Sequence, residues 1–252
     1  MRFVITRPRP DGESMAKRLV ELGHEPLISP VMEVVCLPDT PLPDVDTLKG
    51  LIITSRNALR CLARKTAIGP LSPSPWRALP LFAVGEATGR QAREFGFMTV
   101  IYGNGRASAL PDYIKQFKPH LEPQDGKSLY YPVGAKKAFD LAPVLRQQGF
   151  LLTEQIVYET KQTNRLTPAV KKGLENGDLD GVFLLSPRSA RLFEKLVKSD
   201  GLAHKLSVVA CLCLSPNVAC AAKGLPWRKT LVAPHPDMDQ LLALIKQLSF
   251  SV

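Results

Sequence analysis

The chain has 252 residues, 45% hydrophobic and 22% charged, and a mean hydropathy of −0.02; it is long enough to bury two ordinary cores, and no run approaches the ~18 apolar residues of a membrane span. A formal charge of +10 and a pI near 9.5 call for an anionic partner without saying which kind. The basic residues are scattered beyond short pairs such as Lys136-Lys137 and Lys171-Lys172, with no aromatic-basic interleaving, which argues against nucleic acid and suits a polycarboxylate or a phosphorylated small molecule.

Residues 3–5 read as a first buried strand, whose apolar run Arg7 and Pro8 cut too short for a secretory leader. A helical pattern follows over 12–22, with Met15, Leu19 and Leu22 at 3–4 spacing, Asp11 as N-cap and Gly23 as the stop. After a short strand, residues 31–37 break the alternation: they are extended by composition and rich in β-branched side chains, and a connector begins at Pro38. Strands are expected at 51–53, 81–84, 99–102 and 128–131, and a second helix over 138–148 closes at Gly149. Residues 154–160 repeat the extended break, and strands follow at 181–185, 208–212 and 231–233. Strands alternating with helices predict an α/β fold with mainly parallel sheets.

The pattern occurs twice. Thr54-Ser55-Arg56-Asn57 returns as Ser186-Pro187-Arg188-Ser189, and Gly85-Glu86-Ala87-Thr88 as Ser215-Pro216-Asn217-Val218; Arg7-Pro8 after the first strand matches Tyr131-Pro132. The offsets are 126 from Gly23 to Gly149, 128 from Gly96 to Gly224 and 131 from Ser55 to Ser186, so the period is one domain long. Two similar lobes imply a cleft for a ligand. If the two extended breaks pair, residues 34–37 and 154–162 form an inter-lobe ladder. The first lobe is then discontinuous, 1–33 plus 163–252, and the second is 38–153. A division into N-terminal and C-terminal halves is the alternative.

The repeated turns fall where a strand's carboxyl end meets a helix start, the ligand face of open α/β sheets. Ser55, Arg56 and Asn57, with Ser186 and Arg188 in the other repeat, offer hydroxyls, amides and cations to an anion, although Ser also serves as a plain N-cap. Gly85 permits close backbone approach and Thr88 offers a hydroxyl, whereas Asn217 stands in the repeat that lacks both. Gly134 and Lys136 are candidates in the third kind of turn, with Lys137 beside them, and Arg7 follows the first strand. Tyr158 lies in the expected ladder, where its phenol either donates a hydrogen bond to a departing hydroxyl or packs between lobes.

No Gly-x-Gly-x-x-Gly, P-loop, HExxH or GxSxG motif occurs. Nothing in the sequence calls for a nucleotide, flavin or metal. His24, His120, His204 and His235 stand isolated, His24 as a loop histidine. The five cysteines, Cys36, Cys61, Cys211, Cys213 and Cys220, form no CxxC pair, and they read as reduced, mostly buried thiols of a cytoplasmic protein.

In order along almost the whole chain, Ile5-Thr6-Arg7-Pro8, Thr54-Ser55-Arg56-Asn57-Ala58, Val84-Gly85-Glu86-Ala87-Thr88, Val157-Tyr158-Glu159-Thr160 and Leu185-Ser186-Pro187 resemble the uroporphyrinogen-III synthase family. The resemblance implies two α/β lobes joined by a two-stranded ladder, and a cofactor-free, cytoplasmic, monomeric enzyme open to transient contact with the preceding pathway enzyme. The implied substrate is hydroxymethylbilane, a linear tetrapyrrole polycarboxylate, cyclised with loss of water and inversion of ring D. Tyr158 matches the tyrosine that assists hydroxyl departure; Ser55, Thr88 and Ser186 match cleft positions that bind carboxylates. Ser215-Pro216-Asn217-Val218 departs from the family's Gly-Pro-x-Thr-like turn. The competing reading is a two-lobed module that binds a small anion without catalysis.

Overall fold

The computed structural model describes residues 1–69, 73–117, 126–137 and 139–249; His120 and Ala138 lie outside them. The chain forms two compact units, Met1–Glu33 with Lys161–Val252, and Val34–Thr160. It opens with β1 (Arg2–Ile5), α1 (Arg9–Glu21) and β2 (Glu25–Ile28), and leaves the first unit along β3 (Met32–Cys36). The second unit continues with β4 (Leu48–Ile53), α2 (Arg56–Lys65), β5 (Leu81–Ala83), α3 (Glu86–Glu94), β6 (Val100–Tyr102), α4 (Leu110–Gln116), β7 (Ser128–Gly134) and α5 (Ala142–Gln147). Along β8 (Leu152–Gln162) the chain re-enters the first unit, which adds α6 (Pro168–Asn176), β9 (Gly181–Leu184), α7 (Pro187–Ser199), β10 (Ala210–Cys213), α8 (Pro216–Ala221), β11 (Lys229–Val232), α9 (Met238–Ala243) and α10 (Lys246–Ser249).

The first unit's sheet has the order β11-β10-β9-β1-β2, and every pairing in it is parallel. The second unit's sheet runs β3-β8-β7-β4-β5-β6, with parallel pairing from β8 through to β6. Counted from β1 in one unit and β7 in the other, both sheets follow the doubly wound order 2-1-3-4-5, with β3 added beyond β8. The duplication seen in the sequence is therefore a duplication of topology, entered at a different strand in each unit. The order reverses between β1 and β9 in the first unit and between β7 and β4 in the second.

Parallel strands covered on both faces read as continuous apolar runs. In the first unit Phe3, Ile5 and Phe183 pack on one face and Val4, Val182 and Leu184 on the other, all fully buried. In the second, Leu51 and Ile53 share a core with Leu81, and Ile52 and Phe82 lie in the opposite one. Alternate side chains of one strand point to opposite faces, which accounts for both pairs of clusters.

Several boundaries differ from the sequence expectation. Helix α1 starts at Arg9, before Asp11, because Pro10 in the first turn needs no amide partner; Asp11 is inside the helix and pairs with Arg7 at 2.7 Å. Helix α5 starts at Ala142, with Pro143 in its first turn, so the span expected from 138 is shorter. Gly23 (φ +79°) and Gly149 (φ +83°) occupy the left-handed region just past α1 and α5, the conformation that favours glycine as a helix stop. Strand β7 runs through Pro132 to Gly134. Its register with β4 ends at Tyr130, so the missing amide of Pro132 costs no bond on that side.

The cysteine reading is corrected. Cys36 of β3 and Cys61 of α2 are joined by a disulfide, with Cα atoms 5.4 Å apart and 25 residues of separation. Cys211 and Cys213 are buried thiols and Cys220 is exposed. A strand edge brought against a helix made the pair; neither spacing nor motif announced it. The bond also removes reduced cysteines as an argument for a cytoplasmic setting.

Candidate functional site

The carboxyl ends of β4 and β7 flank the switch point of the second unit, and three separated segments meet there. Ser55 is the N-cap of α2, and its Oγ accepts from the amide of Asn57 at 3.2 Å. Tyr158 of β8 donates its phenol hydrogen to the same Oγ at 3.1 Å. Gly134 ends β7 directly against that ring: a Cβ built there would fall 2.6 Å from Tyr158 Cζ and 2.8 Å from its oxygen. Ala135 donates its amide to the Tyr158 carbonyl at 2.9 Å, which fixes the strand as well as the side chain. Gly134, expected as a ligand contact, thus supplies the space the phenol occupies.

Beneath this pair, the Tyr131 hydroxyl and Thr54 Oγ1 lie 3.3 Å apart and bridge the ends of β7 and β4. Tyr131 is 1% exposed, and burial pushes its phenol's pKa up while the Thr54 bond works the other way. Neighbouring Tyr130 has no accessible surface, its pKa is likewise raised by burial, and its hydroxyl donates to Gln155 Oε1 at 2.5 Å. Sequence reasoning did not place Tyr131 at the site. The available signal was a tyrosine inside a buried strand, whose hydroxyl must find a partner.

Lys137 bridges Asp140 and Glu154, each at 2.8 Å. Its hydrogen bonds to both raise its pKa, and its own hydrogen bond to Asp140 lowers that carboxyl. Lys136 beside it is exposed. On α2, Arg56 is half-buried in the first turn, and Asn57 Oδ1 accepts from Arg60 at 3.2 Å. Gly85 is the N-cap of α3 and packs on Gly105, since a Cβ would come within 2.9 Å of the Gly105 Cα. Thr88 lies one turn into α3 and is 6% exposed, a packed position rather than an open one.

The first unit carries the other candidates, and there capping dominates. Ser186 closes a reciprocal box with Ser189: the Ser189 amide donates to Ser186 Oγ at 3.0 Å, and the Ser186 amide donates to Ser189 Oγ at 3.1 Å. Arg188 follows half-buried in α7. Arg7 is paired with Asp11, and Asn217 is exposed in the first turn of α8. Among the described residues no three His, Cys, Asp or Glu side chains gather to hold a metal ion, and no helix is long and apolar enough to cross a membrane.

The family model for uroporphyrinogen-III synthase HemD matches residues 13–243. The chain belongs to the uroporphyrinogen-III synthase family. Among curated relatives it is similar to uroporphyrinogen-III synthase of Chlorobaculum parvum, 21% identical over 82% of this chain and 83% of the relative. It is also similar to the porphyrin biosynthesis protein HemD of Ruminiclostridium josui, 20% identical over 96% of this chain and 47% of that longer protein. The crystal structure of uroporphyrinogen-III synthetase from Helicobacter pylori 26695 shares the fold, with a TM-score of 0.59, 20% identity and coverage of 98% of this chain and all of the other. The synthase family is an enzyme family of porphyrin biosynthesis, and this member has its mixed α/β fold with mainly parallel sheets. Within that fold, the Tyr158, Ser55 and Gly134 constellation is what this chain's own residues build.

Proposed function

We propose that this chain converts hydroxymethylbilane to uroporphyrinogen III, with Tyr158 as the group that assists loss of the ring A hydroxyl. The observation that carries the reading is the Tyr158 phenol held against Ser55 Oγ at the switch point of the second unit, in a member of this family. Loss of water leaves an azafulvene cation; ring D attacks it through its substituted carbon, and the spiro intermediate fragments and recloses with ring D inverted. The phenol already has an acceptor in Ser55, so a departing hydroxyl need only replace that acceptor to receive the hydrogen bond. Gly134 and the Ala135 amide keep the ring from swinging away, a preorganisation that costs nothing at the moment of reaction.

The other site residues belong to binding. Ser55, Asn57 and Arg56 stand at the start of α2, whose dipole favours a carboxylate; at α3, Gly85 is the N-cap and the packed Thr88 supports that turn from within. In the first unit Arg188 and Asn217 are the candidate contacts for a carboxylate, while Ser186 is held in its own cap and Arg7 by Asp11, and Lys136 is an exposed cation near Gly134 in the sequence. The net charge of +10 suits a substrate with many carboxylates. We further propose that the protein works as a cytoplasmic monomer without a cofactor, in transient contact with the preceding pathway enzyme. In the cytoplasm, Cys36 and Cys61 would be held mainly as a reduced pair.

The test is the product isomer. Incubation with hydroxymethylbilane, oxidation to porphyrins and chromatographic separation should give predominantly type III. Type I alone, at the rate of spontaneous closure, overturns the reading and leaves an anion-binding module.

A further inference from the structure

The contacts around the Tyr158 phenol close into a ring inside the second unit. Tyr158 donates to Ser55 Oγ, the cap of α2. Further along that helix, Cys61 is bonded to Cys36 at the end of β3. The next residue, Leu37, donates its amide to the Val157 carbonyl at 2.9 Å, and Val157 directly precedes Tyr158 on β8. The remaining links are hydrogen bonds or the chain itself, so the disulfide is the cross-link that locks helix and strands into a closed loop. The loop has its own apolar filling: Ala58, Cys61 and Val157 cluster together, with Val34, Cys36 and Tyr158 packed against them.

With the sulfurs apart, this corner is held by weaker means. Strand β3 lies at the sheet edge with β8 as its neighbour. Beyond Cys36, Lys65 of α2 donates to the Thr40 carbonyl at 2.5 Å and Gln155 of β8 to the Pro41 carbonyl at 2.6 Å, both through long side chains. Opening the cross-link therefore adds freedom to a loop whose far side is the phenol's bond to Ser55, and small errors of placement are costly to a reacting group. The two sulfurs also differ in access. Cys36 is half-buried, whereas Cys61 is 1% exposed, so an exchanging thiol meets Cys36. Cys211 and Cys213, with sulfurs 3.3 Å apart, are both fully buried and out of reach of such a thiol.

We propose that Cys36 and Cys61 are a thiol–disulfide switch that positions the Tyr158 phenol, fixed when oxidised and loosened when reduced. This control rests on the reading of Tyr158 as the group that assists loss of the hydroxyl, and it adds two positioning residues to that reading. In the reductive direction a small-molecule thiolate attacks the Cys36 sulfur, the S–S bond breaks, and Cys61 leaves as a thiolate that takes a proton. A second thiolate attacks the small molecule's sulfur in the mixed disulfide and releases Cys36, which is protonated in turn. The two small thiolates become their disulfide, and the cystine gains two electrons and two protons. A small-molecule disulfide drives the reverse. In a reducing compartment the pair rests as thiols, and oxidising conditions close it and raise turnover.

The experiment uses the full chain carrying Cys220→Ser, which removes the exposed thiol outside the pair. It is oxidised with glutathione disulfide or reduced with dithiothreitol, and alkylation with mass spectrometry confirms each state. Type III formation is expected to be about three- to tenfold faster in kcat when oxidised, with KM within about twofold, because placement rather than binding changes. The loss on reduction should reverse on reoxidation, and it should vanish in Tyr158→Phe, which has no phenol to place. Equal rates in the two states, or the same loss in Tyr158→Phe, overturn the proposal. Hydrogen exchange without substrate reads the tie independently of the reaction: peptides spanning 53–61 and 155–160 should exchange faster on reduction while β9 and β10 stay protected. Unchanged exchange in those peptides overturns the switch even where type III forms, and exchange rising throughout overturns it as a general loss of fold. Absence of type III with the local exchange response intact overturns the proposed reaction instead, and supports the tie between the cysteines and Tyr158.

Discussion

Tyr158 donates its phenol hydrogen to Ser55 Oγ at 3.1 Å across 103 residues of sequence. The two side chains come from an edge-side strand and a helix N-cap, and no local rule brings them together. Ser55 Oγ also accepts from the Asn57 amide, so one oxygen links the helix cap to the phenol. Removing the phenol oxygen should therefore leave the cap intact.

Tyr158→Phe is expected to cut the rate of type III formation by about 100-fold, the lower range for a positioned acid. Its stability should fall by no more than about 1 kcal/mol, the net worth of one hydrogen bond. Rapid-quench kinetics with urea unfolding of the same variant checks both. Turnover equal to wild type removes Tyr158 from the mechanism.

Gly134→Ala places a methyl within 2.6 Å of Tyr158 Cζ, so ring or strand must shift. A loss of about 1–3 kcal/mol is expected, as for overpacked cores, together with a loss of activity. Tyr158→Ala in the same chain should return most of that stability, while activity stays low. Additive stability losses in the double-mutant cycle would mean that the two residues do not press on each other.

The Cys36–Cys61 bond closes a loop across 25 residues, and Ala58, Cys61 and Val157 form a small core with Tyr158 packed on it. Loss of the cross-link in Cys36→Ser/Cys61→Ser should cost about 3 kcal/mol through the entropy of the unfolded chain, measured against the oxidised protein. Mass spectrometry after thiol alkylation establishes the oxidised reference. An unchanged denaturation midpoint would remove the bond from the stability of this unit.

His24 packs edge-on to Phe3, with ring centroids 5.4 Å apart, and burial lowers its pKa below the usual 6.5. A folded-state value below the unfolded one means that folding favours the neutral ring. That contribution is present above pH ~6.5 and is lost as pH falls through the lowered folded value. Wild-type stability should therefore decline on the acid side of that point, and His24→Phe should flatten the decline. Equal slopes for both proteins between pH 7.5 and 5 would assign the acid sensitivity to other groups.

Much of the fold was legible because its signals are local. Parallel strands buried on both faces read as short apolar runs, Gly23 and Gly149 marked helix ends, and the recurrence of Ser55 as Ser186 disclosed the duplication. Boundaries shifted at three prolines: α1 starts early with Pro10 in its first turn, β7 continues through Pro132, and α5 starts late with Pro143 in its first turn. Of the candidate site, Ser55, Gly134 and Tyr158 could each be singled out as residue types from a motif, and the structure brings these three together.

What each of them does waited for tertiary structure. Gly134 is a space for the phenol, Ser186 is occupied by its own helix cap, and Cys36 with Cys61 is a covalent link. Sequence alone determined the alternating strands and helices and their repetition, because propensity and hydrophobic period act over a few residues. Only the folded chain decided that the Ser55 hydroxyl accepts from the Tyr158 phenol, because that contact joins segments 103 residues apart and depends on directions that no local pattern encodes.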